Sequence, residues 1–217
     1  MILVGKHRIN DLGFTLIELL IAMSITTIVS AGILTAYRSQ QNMQLAQKQS
    51  VEMQQNIRVA LYIMTSEIRK AGYDPDGTNG AGIVNAGDGR DNLNRFIFTY
   101  FDANAWNDGE DNNNDGIKDE AGENLQAIEY YLYDSLSDGT VDLGRRKGAR
   151  LDAIAENIQS LQFLYLDADG NITTTLSDIR SVRITIVATT DSNELNYTGA
   201  NNTRTLTANV KCRNIGL

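Results

Sequence analysis

The sequence predicts an α+β fold: one long N-terminal helix packed on an antiparallel β-sheet. Three observations predict it. Residues 14–37 form an apolar run of 24 residues with a single charge, Glu18. From Arg38 to Ala71 there is neither Gly nor Pro, and good helix formers dominate. Beyond Gly72 the pattern changes to short apolar or alternating stretches separated by Gly-, Asn- and Asp-rich turns.

The elements follow in order. Residues 1–13 are short, polar and weakly basic, with Lys6, His7 and Arg8. A helix over 14–37 is ~36 Å long at ~1.5 Å per residue, enough to cross a ~30 Å hydrocarbon core. A secretory signal cut after Val29-Ser30-Ala31 competes with this reading. The run is long for such a signal, and it carries Glu18. An acid at the centre of a membrane-spanning helix costs ~2.5–3.5 kcal/mol, so its presence asks for a partner. Orientation is a tie by charge, because Lys6 and Arg8 precede the span while Arg38 and Lys48 follow it.

Residues 38–71 read as an amphipathic second half of the same helix. Met53, Ile57, Leu61, Met64 and Ile68 form one stripe, widened by Val51, Ala60 and Ile63. Gly72 is the expected C-cap, with Arg69 and Lys70 in the last turn and Pro75 just beyond. The whole helix would be ~87 Å long. A globular domain, 72–217, follows. Within it 72–95 reads as loop, and Phe96–Phe101 and Leu125–Tyr133 read as strands. Leu151–Ile158 reads as a short helix or turn. Leu161–Leu166, Val182–Ala188 and Thr205–Lys211 complete the strands. Asp167–Asn171 is a tight turn.

Composition excludes several functions. The formal net charge of −8 argues against nucleic-acid binding. One cysteine, Cys212, permits neither an internal disulfide nor a cysteine-rich zinc site. The single histidine, His7, lies in the N-terminal segment, so no Ser-His-Asp device is expected in the body, and the chain is not expected to be an enzyme.

The acidity is concentrated. Residues 72–124 hold nine Asp and three Glu against Arg90, Arg95 and Lys118, a net of −9. Inside the acidic loop 102–124, Asp111, Asn113, Asp115, Gly116 and Asp119 follow a D-x-N-x-D-G-x-x-D spacing. Oxygen ligands at alternate positions, a backbone carbonyl at Ile117 and Gly at the sharp turn are what Ca²⁺ loops use. The expected bidentate Glu is replaced by Gly122, and Glu120 or Glu123 is the substitute. The competing reading is a solvated acidic loop. Arg145, Arg146, Lys147 and Arg150 read as a solvated basic loop or as a contact for the acidic face of a neighbouring subunit. Trp106 reads as an anchor for the acidic loop, and Cys212 as a small buried hydrophobe.

Gly13-Phe14-Thr15-Leu16-Ile17-Glu18-Leu19-Leu20-Ile21 resembles the type IV prepilin motif. The resemblance implies that 1–13 is a leader peptide cut by a prepilin peptidase between Gly13 and Phe14, with N-methylation of Phe14. It also implies that 14–37 is retained as the membrane and filament-core helix. Glu18 would then pair with the new amine of an adjacent subunit during assembly. Opposite charges ~4 Å apart attract by ~4 kcal/mol at an effective dielectric of ~20, similar to the cost of placing an acid in a span. Such a pair checks register more than it adds stability. A proline usual in the apolar helix of major pilins is missing near Thr35.

"AGYDP" at 71–75, "AENIQSLQFLYLDADG", "DIRSVRITIVATT" and "RTLTANVKCRN" resemble PilW-type minor pilins, and the plan is similar to J-class type II secretion pseudopilins. The resemblance implies a type IV pilin-like fold and a minor pilin that helps initiate pilus assembly at or near the tip. Its partners would be other minor and major pilins, the prepilin peptidase, the inner-membrane assembly platform and the membrane. Its place would be the bacterial inner membrane, with a periplasmic head that reaches the cell surface after assembly. The processes such a pilus serves are cell adhesion and twitching motility. The alternatives are a secretion pseudopilin, or a secreted calcium-binding protein released after Ala31.

Overall fold

The computed structural model describes residues 13–107, 109, 111–112, 116–118, 123–137, 139–190 and 203–216. Among the described residues one α-helix, α1 (Leu16–Ile68), is followed by eight strands. The chain divides into two units, Met1–Ala46 and Gln47–Leu217.

In the first unit α1 exposes its apolar side chains on every face, Phe14, Leu16, Ile17, Met23, Ile28 and Ile33 among them. The hydroxyls of Ser24, Thr26, Thr27 and Thr35 each donate to the carbonyl four residues earlier, at 2.7–2.9 Å. These four hydroxyls are thereby satisfied inside the helix, the arrangement an apolar surrounding favours. By length and composition the helix is apolar enough to cross a membrane.

In the second unit α1 buries Met53, Ile57, Ala60, Leu61, Met64 and Ile68. These are the stripe positions, spaced so that one face meets the core. Val51, expected to widen the stripe, is 53% exposed, and Ile63 is half-buried. The helix ends at Ile68 rather than Ala71. Gly72 then turns the chain at φ +76°, and its amide donates to the Thr99 carbonyl at 3.0 Å. That bond ties the helix exit to a strand. A Cβ at Gly72 would stand 2.7 Å from the Ile215 side chain, so close approach as well as φ requires glycine.

The strands are all antiparallel. A five-stranded sheet runs in sequence order through β1 (Ile83–Ala86), β2 (Phe96–Phe101), β3 (Leu125–Tyr133), β4 (Asp142–Lys147) and β5 (Arg150–Ala155). A three-stranded sheet follows as β6 (Ile158–Leu166), β7 (Ser181–Thr189) and β8 (Thr203–Lys211). The expected antiparallel sheet is thus split in two. The split falls at Glu156 and Asn157, where Asn157 takes φ +57° and redirects the chain. Its amide donates to the buried carboxylate of Asp142, which also accepts from Ser135.

Leu151–Ile158 is neither helix nor turn, and this expectation is corrected. Its apolar spacing suits a helix, but Leu151 pairs with Arg146 and Asp152 with Arg145 in a β4–β5 hairpin. Pairing across the hairpin overrides local propensity. β1 lies inside the stretch read as loop.

One core joins the helix to both sheets. Phe96 on β2 sits 4.9 Å from Phe163 and 5.5 Å from Tyr165 on β6, ring centre to ring centre, so aromatic packing bridges the sheets. β7 alternates as expected, with Val182, Ile184 and Ile186 buried and Arg183 exposed.

Candidate functional site

The first site is the start of α1. Thr15 is the N-cap and Glu18 the third helical residue. The Glu18 carboxylate accepts from the Thr15 amide at 2.8 Å and from its hydroxyl at 3.0 Å. In return the Glu18 amide donates to the Thr15 hydroxyl at 3.3 Å. This is a reciprocal capping box, which satisfies two otherwise orphan donors and sets an anion at the positive end of the helix. Gly13 and Phe14 precede it as non-helical chain, and Phe14 is 91% exposed. The arrangement presents an accessible peptide bond, a large exposed aromatic and one oriented carboxylate within six residues. Thr15 was missed as a functional residue. Its signal was present, since Thr-x-x-Glu before an apolar run is a helix-start signature.

The acidic loop is described in part. The Gly116 amide donates to an Asp111 carboxylate oxygen at 2.8 Å, and Gly116 takes φ +99°. Asn112 and Glu123 are fully buried; the Asn112 amide donates to Glu123 at 2.9 Å, and its side-chain amide donates to the Ala105 carbonyl at 2.6 Å. Glu123 therefore anchors the base of the loop, while Ile117 is exposed. Asn113, Asp115, Asp119 and Glu120 lie outside the described residues. Trp106 sits on a short 3-10 turn, Ala105–Asn107.

The basic cluster is corrected. Its residues are not a solvated loop but lie on β4 and β5, and the arginines are spent inside the chain. Arg145 makes a bidentate pair with Glu67 of α1, through Nε at 2.9 Å and a terminal nitrogen at 2.5 Å. The buried Tyr130 hydroxyl also donates to Glu67. Burial and the Glu67 carboxylate push the Tyr130 phenol well above its ordinary value, and Glu67 holds Arg145 more firmly protonated than usual. Arg146 pairs with Glu129 at 3.5 Å and donates to the Tyr131 hydroxyl at 2.9 Å, while Arg150 pairs with Asp152 at 2.8 Å. Tyrosines in a strand and one Glu in a helix could not be matched to these arginines from sequence spacing. Cys212 is buried, its amide donating to the Arg180 carbonyl at 2.9 Å, and burial raises its thiol to about 11.

The described residues thus combine an exposed apolar helix that opens on an oriented acid with an α+β head. Residues 8–34 match the family described as the prokaryotic N-terminal methylation motif, and that match supports a type IV pilin or pseudopilin. Such a motif implies processing by a prepilin peptidase and assembly with other pilins. The motif and the apolar helix are compatible with membrane anchoring. No curated protein matches the chain.

Proposed function

We propose that this chain is a minor pilin of PilW type, a non-enzymatic subunit that helps initiate type IV pilus assembly at or near the tip. The observation that carries the reading is the methylation motif at 8–34 coinciding with Glu18 oriented at the start of an all-round apolar helix. Cleavage after Gly13 turns Phe14 into a cationic terminus. Glu18, already turned toward the helix start by Thr15, is the matching anion for the terminus of a neighbouring subunit. A lone subunit in lipid carries both charges without an intermolecular partner, and docking in the correct axial register pairs them. The head stays outside the membrane and selects which pilins dock.

N-terminal sequencing and mass analysis of the mature chain test this. Methylated Phe14 as the first residue is the expected result; a start at Gly32 refutes it. Glu18→Ala should leave the head folded and abolish incorporation into fibres. Type II secretion pseudopilins use the same helix physics, and co-purification with secretin-linked export proteins instead of pilus proteins would favour that alternative.

A second reading concerns Ca²⁺ in the acidic loop. The left-handed Gly116, with its amide on Asp111, is the turn that a D-x-N-x-D-G loop needs. Asp111, Asn113, Asp115, the Ile117 carbonyl and Asp119 would be the ligands, with Glu120 or Glu123 closing the site. Calorimetry on the full chain in detergent should show binding weakened at least ~10-fold by Asp111→Ala and by Asp115→Ala. Unchanged binding in both variants removes the site.

A further inference from the structure

The helix exit carries a cleft that neither the processing site nor the candidate Ca²⁺ ligands use. It opens between the exit of α1 and the end of β2, has a volume of about 410 Å³, and is lined by Lys70, Tyr73, Tyr100 and Asp102 among others. That size falls within the roughly 300–1,000 Å³ typical of small-molecule sites. Backbone bonds fix its walls. The Phe101 amide donates to the Tyr73 carbonyl at 2.7 Å, and the Asp102 amide donates to the Asn124 carbonyl at 2.8 Å. Tyr100 on β2 stands directly opposite Gln126 on β3, so the two side chains share a face of the sheet.

Hydrogen-bonding capacity around the cleft is unmet. Tyr100 is only 8% exposed, yet its hydroxyl makes no hydrogen bond among the described residues. Burial and the Asp102 charge push its phenol up to about 12, so it remains a donor at neutral pH. One Asp102 carboxylate oxygen accepts from the Asn104 amide at 3.1 Å, and the other takes no bond among the described residues. Gln126 is fully buried and donates to the Ala127 carbonyl at 3.2 Å, but its Oε1 has no donor. The buried Oδ1 of Asn124 has none either. Buried polar atoms are normally paired, so a group of unmatched ones asks for a partner.

The lining narrows what that partner is. Lys70 and Asp102 cancel in charge, which favours neither an anion nor a cation. The Lys70 ammonium lies 5.4 Å from the centre of the Tyr100 ring, so that ring face is covered. Tyr73 is 46% exposed, and its ring stays open to a ligand. A fitting ligand is uncharged, both donates and accepts hydrogen bonds, and has one apolar face. A pyranose ring meets all three conditions: its axial C–H bonds lie flat on an aromatic face while its hydroxyls reach the rim.

We propose that this cleft binds the terminal ring of a neutral sugar, with Tyr73 as the stacking platform and Tyr100, Asp102 and Lys70 holding its hydroxyls. The inference goes beyond the assembly reading and does not rest on it, because no residue of α1 takes part.

Saturation-transfer NMR and calorimetry on the full chain, in a detergent without a sugar head group, test this. The probes are the methyl pyranosides of glucose, galactose, mannose and N-acetylglucosamine. At least one should bind, with transfer strongest at the hydrogens of one ring face. Tyr73→Ala should weaken that binding at least ~10-fold, and Tyr73→Phe should keep it. Tyr100→Phe retains the ring, loses the hydroxyl and should weaken binding roughly fivefold. All three variants should keep the circular dichroism of the parent. Glucuronate and glucosamine, as charged counterparts, should bind no tighter than the neutral sugars. Absence of binding by every probe, undiminished binding in Tyr73→Ala, tighter binding of a charged sugar, or binding of longer oligosaccharides alone would each overturn the proposal. A mature chain starting at Gly32 would refute the assembly reading and leave these results unchanged.

Discussion

Two glutamates on one helix meet opposite fates. Glu18, at the start of α1, is exposed and held by its own neighbour Thr15. Glu67, one residue from the end, is clamped by Arg145 of β4 and Tyr130 of β3. Both carboxylates are hydrogen-bonded, so what differs is reach. Thr15 is three residues away, and its bonds form wherever the helix forms. The Glu67 partners are 63 and 78 residues away, and their bonds exist only when the head is folded. The first acid remains open to another molecule, whereas the second is committed to its own chain. The helix around them divides in the same way: apolar side chains face outward near Glu18, and one stripe is buried near Glu67.

Breaking the clamp should have the largest effect on the head. Arg145→Ala leaves the mostly buried Glu67 unpaired and should destabilise the head by about 3–5 kcal/mol, read as a lower urea midpoint. Replacing both partners together, Glu67→Leu with Arg145→Met, should cost clearly less, because no charge is left stranded. Equal losses in the two cases would mean that packing, not charge, holds this junction.

The stripe comes next. Ile57→Ala should cost about 2–5 kcal/mol, whereas Val51→Ala, six residues earlier on an exposed position, should stay within about 0.5 kcal/mol. Thermal unfolding of the two variants side by side checks this. A large loss at Val51 would show that the helix buries more of its surface than one stripe.

Alkaline pH probes the head alone. Burial raises the Cys212 thiol from 9.0 to about 11 and the Tyr100 phenol from 10.0 to about 12. Both groups bind protons more tightly when folded. Their contribution is complete below pH 9, declines as the unfolded chain ionises first, and is lost by about pH 12. Urea midpoints should therefore drop across that interval, and Cys212→Ala should flatten the part between pH 9 and 11.

Thr15→Val should have the smallest effect on the whole molecule. It removes the hydroxyl partner of Glu18 and should speed amide exchange in the first turn roughly fivefold, with no change in head stability. A shift in the urea midpoint would break the separation between the two ends of the helix.

Some of this was legible in sequence because its causes are local. Spacings of three and four identified Met53, Ile57, Leu61, Met64 and Ile68, all of which are buried. Alternation identified the buried face of β7. β2 and β3 coincide with their expected bounds because Phe- and Tyr-rich runs have few other places to go. β4 was not legible. Asp-Leu-Gly-Arg-Arg-Lys has little strand preference, and it is a strand because β3 and β5 hold it on either side and Glu67 and Glu129 neutralise its arginines.

The sequence by itself determined the long helix, its apolar first half, the acid near its start and the concentration of negative charge in 72–124. Each is a property of neighbours along the chain, where periodicity and composition carry the information. Only the tertiary structure decided that the strands form two sheets and that the Arg145 cluster turns inward. Those outcomes depend on which distant residues meet. No local pattern encodes that, because a charge costs little in water anywhere along the chain and acquires its meaning from the partner that folding brings to it.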